Sequence, residues 1–173
     1  MNTLRLRLMY REAQQRLDDA ERLSNAFEIG EHSDSPYLLE LLGLELLLKL
    51  IYEVNSGKPS SHKHEYEKIY NDLPSGIQER LINLAGEWIG PSGLNDRTDE
   101  ILKEWGKNFI ALRYPYEKYK GFSEEQYRKL GTDWLASGGE LEKATFRYHP
   151  NELRGMLHAL RTVANEIADK LFN

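Results

Sequence analysis

Apolar residues recur every three or four positions along most of the chain, and this spacing predicts helices. In residues 4–28 one helical face is formed by Leu6, Tyr10, Ala13, Leu17, Ala20 and Phe27. The last segment begins at Pro150, which suits the first turn of a helix, and repeats the pattern at Leu153, Leu157, Leu160, Ala164, Ile167 and Leu171. No strand pattern, internal repeat or low-complexity tract competes, so we expect an all-α fold.

Residues 37–55 form the most apolar predicted helix, because nearly every face of it carries leucine, isoleucine or valine. The exception is a stripe of Glu45, Lys49 and Glu53, whose i,i+4 spacing allows the charges to pair. A helix that meets water along only one narrow stripe belongs at the centre of a bundle or in a dimer interface. Gly30 and the turn at 34–36 separate it from the first helix.

Shorter helices are predicted between these two ends of the chain. Their apolar positions fall within residues 66–73, 77–88 and 101–112. Ser60 or Ser61 is expected to cap the first of the three, and the Ser75-Gly-Ile-Gln78 sequence is typical of a capping box at the start of the second.

The third of these helices is expected to end at Arg113. Pro115 disfavours helical geometry at Tyr114. Arg113, as the last helical residue, would lie beside the negative end of the helix dipole.

Residues 120–149 show no single period. Ser123 to Gln126 has the sequence of another capping box, but Ser137-Gly-Gly139 interrupts the segment. We therefore predict one domain, residues 1–173, folded as an antiparallel helical bundle of about five to seven helices, in which 120–149 is an insertion packed on the bundle before the C-terminal helix.

Composition narrows the functional classes. The chain has 173 residues, enough to bury one core, and its lack of cysteine excludes disulfides and thiolate sites. A net charge of −5 argues against non-specific coating of nucleic acid. Charged residues interrupt the apolar run at 37–54, so we expect no membrane span, and Arg5 and Arg7 break up the N-terminal apolar residues, so no secretory signal is expected either. A cytoplasmic location is the expectation.

The last predicted helix carries a candidate catalytic group. Arg154, His158 and Arg161 lie at i, i+4 and i+7, so they project from one side. Arginine binds phosphate and histidine transfers protons near neutral pH, which is the chemistry of metal-independent RNA cleavage. We assign Arg154 and His158 as candidate catalytic residues and Arg161 as a candidate ligand-binding residue, with a solvated helix face as the alternative.

Two Arg-Tyr pairs precede prolines, at Arg113-Tyr114 and at Arg147-Tyr148. Arginine and tyrosine can hold the phosphate of an unpaired nucleotide and stack on its base. Arg113, Tyr114 and Arg147 are therefore candidate ligand-binding residues, together with Asn108 on the helix that leads into Arg113. The alternative is that the tyrosine rings cap the core.

No metal site or cofactor is predicted. His62 and His64 are separated by one lysine, so on a helix their side chains would diverge by about 200°. No zinc-binding pattern, phosphate-binding glycine loop or nucleophile elbow is present. His149, directly before Pro150, fits an N-cap or turn better than a ligand.

The chain resembles the HEPN family, small helical domains of prokaryotic defence, toxin–antitoxin and nucleotidyltransferase-associated systems. The resemblance rests on a long first helix, the Leu-rich helix at 38–54, the segment 64–74, and a helix that runs into Leu112-Arg-Tyr-Pro115 before a final helix. It implies an antiparallel bundle, commonly a homodimer, with an arginine site that faces the dimer cleft.

The family's ribonucleases have histidine after arginine with four to six residues between them. Here Arg113 has Lys118, Tyr119 and Lys120 at those positions, and only three residues separate Arg154 from His158. We therefore expect a protein that binds RNA, a nucleotide or a protein partner such as a nucleotidyltransferase or a toxin or antitoxin. The alternatives are a metal-independent endoribonuclease and a non-catalytic dimerisation or antitoxin-like protein.

Overall fold

The computed structural model describes residues 2–28, 33–140 and 144–172 and consists of helices joined by loops. The helices are α1 (Thr3–Ala26), α2 (Ser35–Ser56), α3 (Tyr66–Asn71), α4 (Ser75–Ile89), α5 (Thr98–Arg113), α6 (Pro115–Tyr119), α7 (Glu124–Ala136) and α8 (Pro150–Phe172). Six of them have 13 residues or more, and α3 and α6 are short. The described residues contain no strand, so the predicted all-α bundle is confirmed.

The centre of the bundle is α2, which contacts α1, α3, α5 and α8. Its leucines, among them Leu41, Leu44 and Leu48, are completely buried between these helices. The other extensive packing joins α4 to α8. Because helices of the same chain cover α2, its apolar surface no longer argues for a dimer interface. A homodimer stays a prediction.

The polar stripe of α2 was predicted to be solvent-exposed, but its two glutamates are buried. Glu45 and Glu53 are only 5% and 4% exposed. The predicted pairing of Lys49 with Glu45 is confirmed, with Nζ 2.6 Å from Oε1. Glu53 instead accepts a hydrogen bond from Nε of Arg5 on α1, at 3.0 Å. Partners from other parts of the chain allow these carboxylates to be covered without losing their hydrogen bonds.

Two of the predicted helix boundaries are confirmed. The helix α5 ends at Arg113, where Tyr114 has φ −137° and ψ 63°, and Pro115 begins the short helix α6. The capping box at Ser123 is present, because Gln126 N donates to Ser123 Oγ at 3.1 Å and Ser123 N donates to Gln126 Oε1 at 2.8 Å.

Two other cap predictions are wrong. Ser75 is the first residue of α4 rather than its cap, and the side chain of Gln78 turns back to donate to the carbonyl of Leu73 at 2.8 Å. The helix α3 starts at Tyr66, too far along the chain for Ser60 or Ser61 to cap it. Gly30, expected to end the first helix, lies outside the described residues.

The segment predicted as an insertion has two different parts. The helix α7 has no buried residue. Residues 144–149, in contrast, are fixed to α5, because Nε1 of Trp105 donates to the carbonyl of Tyr148 at 3.0 Å and Nδ2 of Asn108 donates to the carbonyl of Arg147 at 2.8 Å. None of the helices in the described ranges has both the length and the apolar content needed to cross a bilayer.

Candidate functional site

A cleft of about 1180 Å³ lies between the start of α2, the helix α7, residues 144–149 and the start of α8. It is large enough to hold a small organic ligand or cofactor. Six aromatic side chains line it: Phe27, Tyr37, Tyr119, Trp134, Phe146 and Tyr148. Flat ligands could stack on such walls.

Three arginines, Arg97, Arg147 and Arg154, also line the cleft. Arg147 is engaged by carboxylates of α5, with Nη1 3.2 Å from Glu100 and Nη2 bonded to Glu104. Arg97 and Arg154 are exposed, and in the described part of the chain neither forms a salt bridge. Their guanidinium groups are therefore available to an anionic ligand.

The carboxylates that line the cleft are Asp34, Glu40 and Glu152. Asp34 accepts a hydrogen bond from the hydroxyl of Tyr148 at 2.9 Å, and Glu152 accepts one from the backbone of Gly93 at 3.3 Å. Burial raises the pKa of Glu40, whereas Arg154 lowers it. Asp34 and Glu152 thus have hydrogen-bond partners inside the protein, whereas Glu40 interacts electrostatically with Arg154 in the cleft itself.

Two helices begin in the wall of the cleft. Asp34 and Pro36 belong to the start of α2, and Pro150 is the first residue of α8. Backbone N–H groups at a helix N-terminus carry partial positive charge and favour anions. This contribution has the same sign as that of Arg97 and Arg154.

One face of α5 positions the wall formed by 144–149. Glu104 binds Arg147, Trp105 binds the carbonyl of Tyr148, and Asn108 binds the carbonyl of Arg147. Asn108 also donates to the hydroxyl of Tyr37 at 3.0 Å and is only 6% exposed. It therefore acts on the cleft through its neighbours.

His149 lies in the cleft in an unusual conformation, with φ 47°. Its carbonyl accepts the first hydrogen bond of α8, from Leu153 N at 2.9 Å, which is the N-cap position expected from the sequence. Its Nε2 is 2.5 Å from Oε2 of Glu104. The pair cannot be read from the sequence, although Glu100 and Glu104 at i,i+4 indicate a helix face that suits cation partners.

Burial lowers the pKa of His149, and the positive charges of Arg147 and Arg97 lower it further, against the opposing effect of Glu152 and Glu100. The lowered pKa favours the neutral imidazole. A neutral ring that donates from Nε2 to Glu104 keeps a lone pair on Nδ1, and this nitrogen can accept a proton.

The phenol groups of the cleft remain protonated. Burial raises the pKa of Tyr37 and of Tyr148, and the same cause raises that of Tyr119. The rings of Tyr37 and Tyr148 are 4.9 Å apart. They supply aromatic surface and hydroxyl donors, and no negative charge.

The predicted site residues are divided between the cleft and other places. Arg147 and Arg154 line the cleft, and Asn108 lies behind its wall. His158 does not line it, because its ring stacks on Trp88 of α4 at 4.3 Å with 9° between the planes. Although one turn separates them, Arg154 faces Glu40 of α2 and His158 faces α4.

The remaining predicted residues are also outside the cleft lining. Nη2 of Arg161 is 3.7 Å from Asp18. The guanidinium of Arg113 lies 4.7 Å from the centre of the Phe109 ring. Tyr114 is 53% exposed, with its ring 6.1 Å from that of Tyr116.

Among the described residues, no three His, Asp or Glu side chains are grouped so as to hold a metal ion. The cleft instead combines aromatic walls with three arginines, three carboxylates and one histidine. Comparison of the chain with protein-family models, with curated proteins and with solved structures finds no match.

Proposed function

We propose that this protein binds a nucleotide, free or as part of a short unpaired RNA segment, in the cleft. The observation that carries the proposal is the presence of two exposed arginines, Arg97 and Arg154, that form no salt bridge with a described residue, in a cavity with aromatic walls. Arginine binds phosphate oxygens through paired hydrogen bonds, and aromatic rings stack on bases. The N-termini of α2 and α8 add favourable charge for a phosphate.

This proposal fits the resemblance to the HEPN family, which stays a prediction. The same holds for the homodimer, for a nucleotidyltransferase or toxin–antitoxin partner, and for the cytoplasmic location. A ligand in the cleft is compatible with each of them, because the cleft is formed within one chain.

Arg154→Ala is expected to weaken binding of adenosine monophosphate and of a short oligouridylate by about ten- to a hundredfold, the range for loss of one charge-assisted hydrogen bond. Titration calorimetry measures it. Arg161→Ala is the matched control, because Arg161 lies on the same helix but pairs with Asp18 outside the cleft lining. Equal losses in the two variants would mean that only the overall charge matters, and no binding by the wild type would remove the proposal.

A second candidate function, metal-independent cleavage of RNA, is favoured by the His149–Glu104 pair. Neutral His149 would take the proton of a 2′-hydroxyl at Nδ1 while Glu104 orients the ring from Nε2. Arg154 or Arg97 would stabilise charge on the phosphate. In this arrangement His149 replaces His158 as the proton-transfer group.

In EDTA, this second candidate predicts that His149→Gln abolishes cleavage of single-stranded RNA whereas His158→Gln retains it. Because the pKa of His149 is lowered, the base stays neutral through neutral pH, and cleavage should decline only below the ordinary histidine value of about 6.5. A gel assay with both variants measures this. Loss of activity in His158→Gln would return the catalytic role to Arg154 and His158, and an inactive wild type would leave binding alone.

A further inference from the structure

A second histidine–glutamate pair lies between α2, α5 and the loop before α3. Nδ1 of His64 is 2.6 Å from Oε2 of Glu45, which is buried. The other oxygen of this carboxylate, Oε1, is 2.6 Å from Nζ of Lys49. None of these residues lines the cleft, so the pair is independent of the proposed nucleotide site.

The backbone holds His64 in a strained position. Its φ is 56°, in the left-handed region that costs energy for a residue with a side chain. Gly106 of α5 permits this position, because a Cβ there would lie 2.2 Å from the carbonyl oxygen of His64. The imidazole packs on the ring of Phe109, with centres 4.8 Å apart. Glu45 already has a cation partner in Lys49, so neutralising its charge does not require the strained histidine.

One ring nitrogen of His64 remains available. In the neutral imidazole whose Nδ1 donates to Glu45, Nε2 carries the lone pair, and no described residue bonds to it. The neighbouring His62 has the same side-chain exposure, 27% for each. Its two nitrogens, however, both face carboxylates, with Nε2 3.1 Å from Asp72 and Nδ1 3.7 Å from Glu65. Nε2 of His62 therefore has a carboxylate partner, whereas Nε2 of His64 has no partner among the described residues.

Two basic side chains share contacts with this imidazole. The guanidinium of Arg113 lies over the same Phe109 ring as His64, 4.7 Å from its centre, and is exposed. Lys49 shares Glu45 with the imidazole. A nucleophilic nitrogen whose ring donates to a carboxylate, with basic side chains on the same partners, is suited to attack on a phosphoryl group.

We propose that Nε2 of His64 is a phosphoryl-acceptor site for small acyl phosphate or phosphoramidate donors. The Nε2 lone pair forms the N–P bond while the P–O or P–N bond of the donor breaks, and the leaving group departs with that electron pair as a carboxylate or an amine. The proton on Nδ1 stays in place, and the carboxylate of Glu45 balances the positive charge that develops on the ring. Arg113 offsets the charge of the phosphoryl oxygens.

The test is incubation of the wild-type chain with phosphoramidate, followed by peptide mapping at alkaline pH and phosphorus NMR. We expect His64 to be modified at Nε2 about tenfold or more faster than His62, a modest part of what a positioned catalytic group supplies. The measurement uses the unaltered protein, so His62 is an internal control of equal exposure.

Glu45→Gln should slow modification of His64 and leave the rate at His62 unchanged. Circular dichroism on the same sample checks that the variant is folded, so that a slower rate is not caused by unfolding. Equal rates at the two histidines, modification of His64 at Nδ1, or an unreactive His64 would each overturn the proposal. None of these results depends on whether the cleft binds a nucleotide.

Discussion

Gly106→Ala should lower the free energy of unfolding by about 3 kcal/mol, although alanine is the better helix former. Gly106 lies in the middle of α5, and an added Cβ would be 2.2 Å from the carbonyl oxygen of His64 and 3.5 Å from its carbonyl carbon. The obstacle is backbone, so no change of rotamer relieves it. Either α5 or the loop before α3 must move, and α5 packs against α2 and α3.

Gly86→Ala is the matched control for this prediction. Gly86 also lies inside a helix, α4, but its Cβ would have no neighbour within 4 Å. It should therefore raise the free energy of unfolding by about 0.5 to 1 kcal/mol, the intrinsic advantage of alanine over glycine in a helix. Urea denaturation of the two variants measures both changes. A Gly106→Ala protein as stable as Gly86→Ala would contradict the close approach of His64 to α5.

Local signals along the chain were sufficient for the long helices α1, α2 and α8, whereas the short helix α6 was not predicted. The three- and four-residue spacing identified α1 and α8, because an amphipathic helix places these positions on one face, and α2 was identified as the most apolar segment. Pro115 marked the end of α5 since proline restricts the residue before it. The box at Ser123 was also predictable, because both of its hydrogen bonds join residues three apart.

Contacts between distant residues were not predictable in this way. Glu45 and Glu53 were predicted to be solvent-exposed, because the partners that allow their burial are distant in sequence. His64 lies 19 residues from Glu45, and Arg5 lies 48 residues from Glu53. Ser75 failed as a cap although its spacing was correct, since Pro74 occupies the cap position. From the sequence, Gly106 is only a glycine within a predicted helix. Nothing in a single sequence indicates that the backbone of His64 approaches it.

The candidate site depends both on local sequence signals and on contacts between distant residues. Arg147 and Arg154 were identified by residue type, but their meeting in one cleft depends on how 144–149 lies across α5. His149 was placed correctly as the residue that precedes α8, whereas its bond to Glu104 joins residues 45 apart. Helix periodicity placed Arg154 and His158 on one side of α8. It could not show that Arg154 faces Glu40 of α2 whereas His158 stacks on Trp88 of α4.

Trp105→Ala should cost about 4 kcal/mol of stability, because Trp105 is completely buried and among the largest side chains in the core. The more informative variant is Trp105→Phe. Phenylalanine retains much of the apolar contact but removes the donor to the carbonyl of Tyr148, which then keeps only the hydroxyl of Tyr37 at 3.5 Å. We expect a loss of about 1 to 2 kcal/mol in the free energy of unfolding.

The loss in Trp105→Phe should be accompanied by weaker binding of adenosine monophosphate, because the freed segment carries Arg147, Tyr148 and His149 of the cleft wall. Trp88→Phe is the control, since Trp88 is 58% exposed and stacks on His158 outside the cleft lining. Urea denaturation and calorimetry on both variants distinguish the cases. If Trp105→Phe lost stability and kept full affinity, the hydrogen bond to Tyr148 would support the core without positioning the cleft.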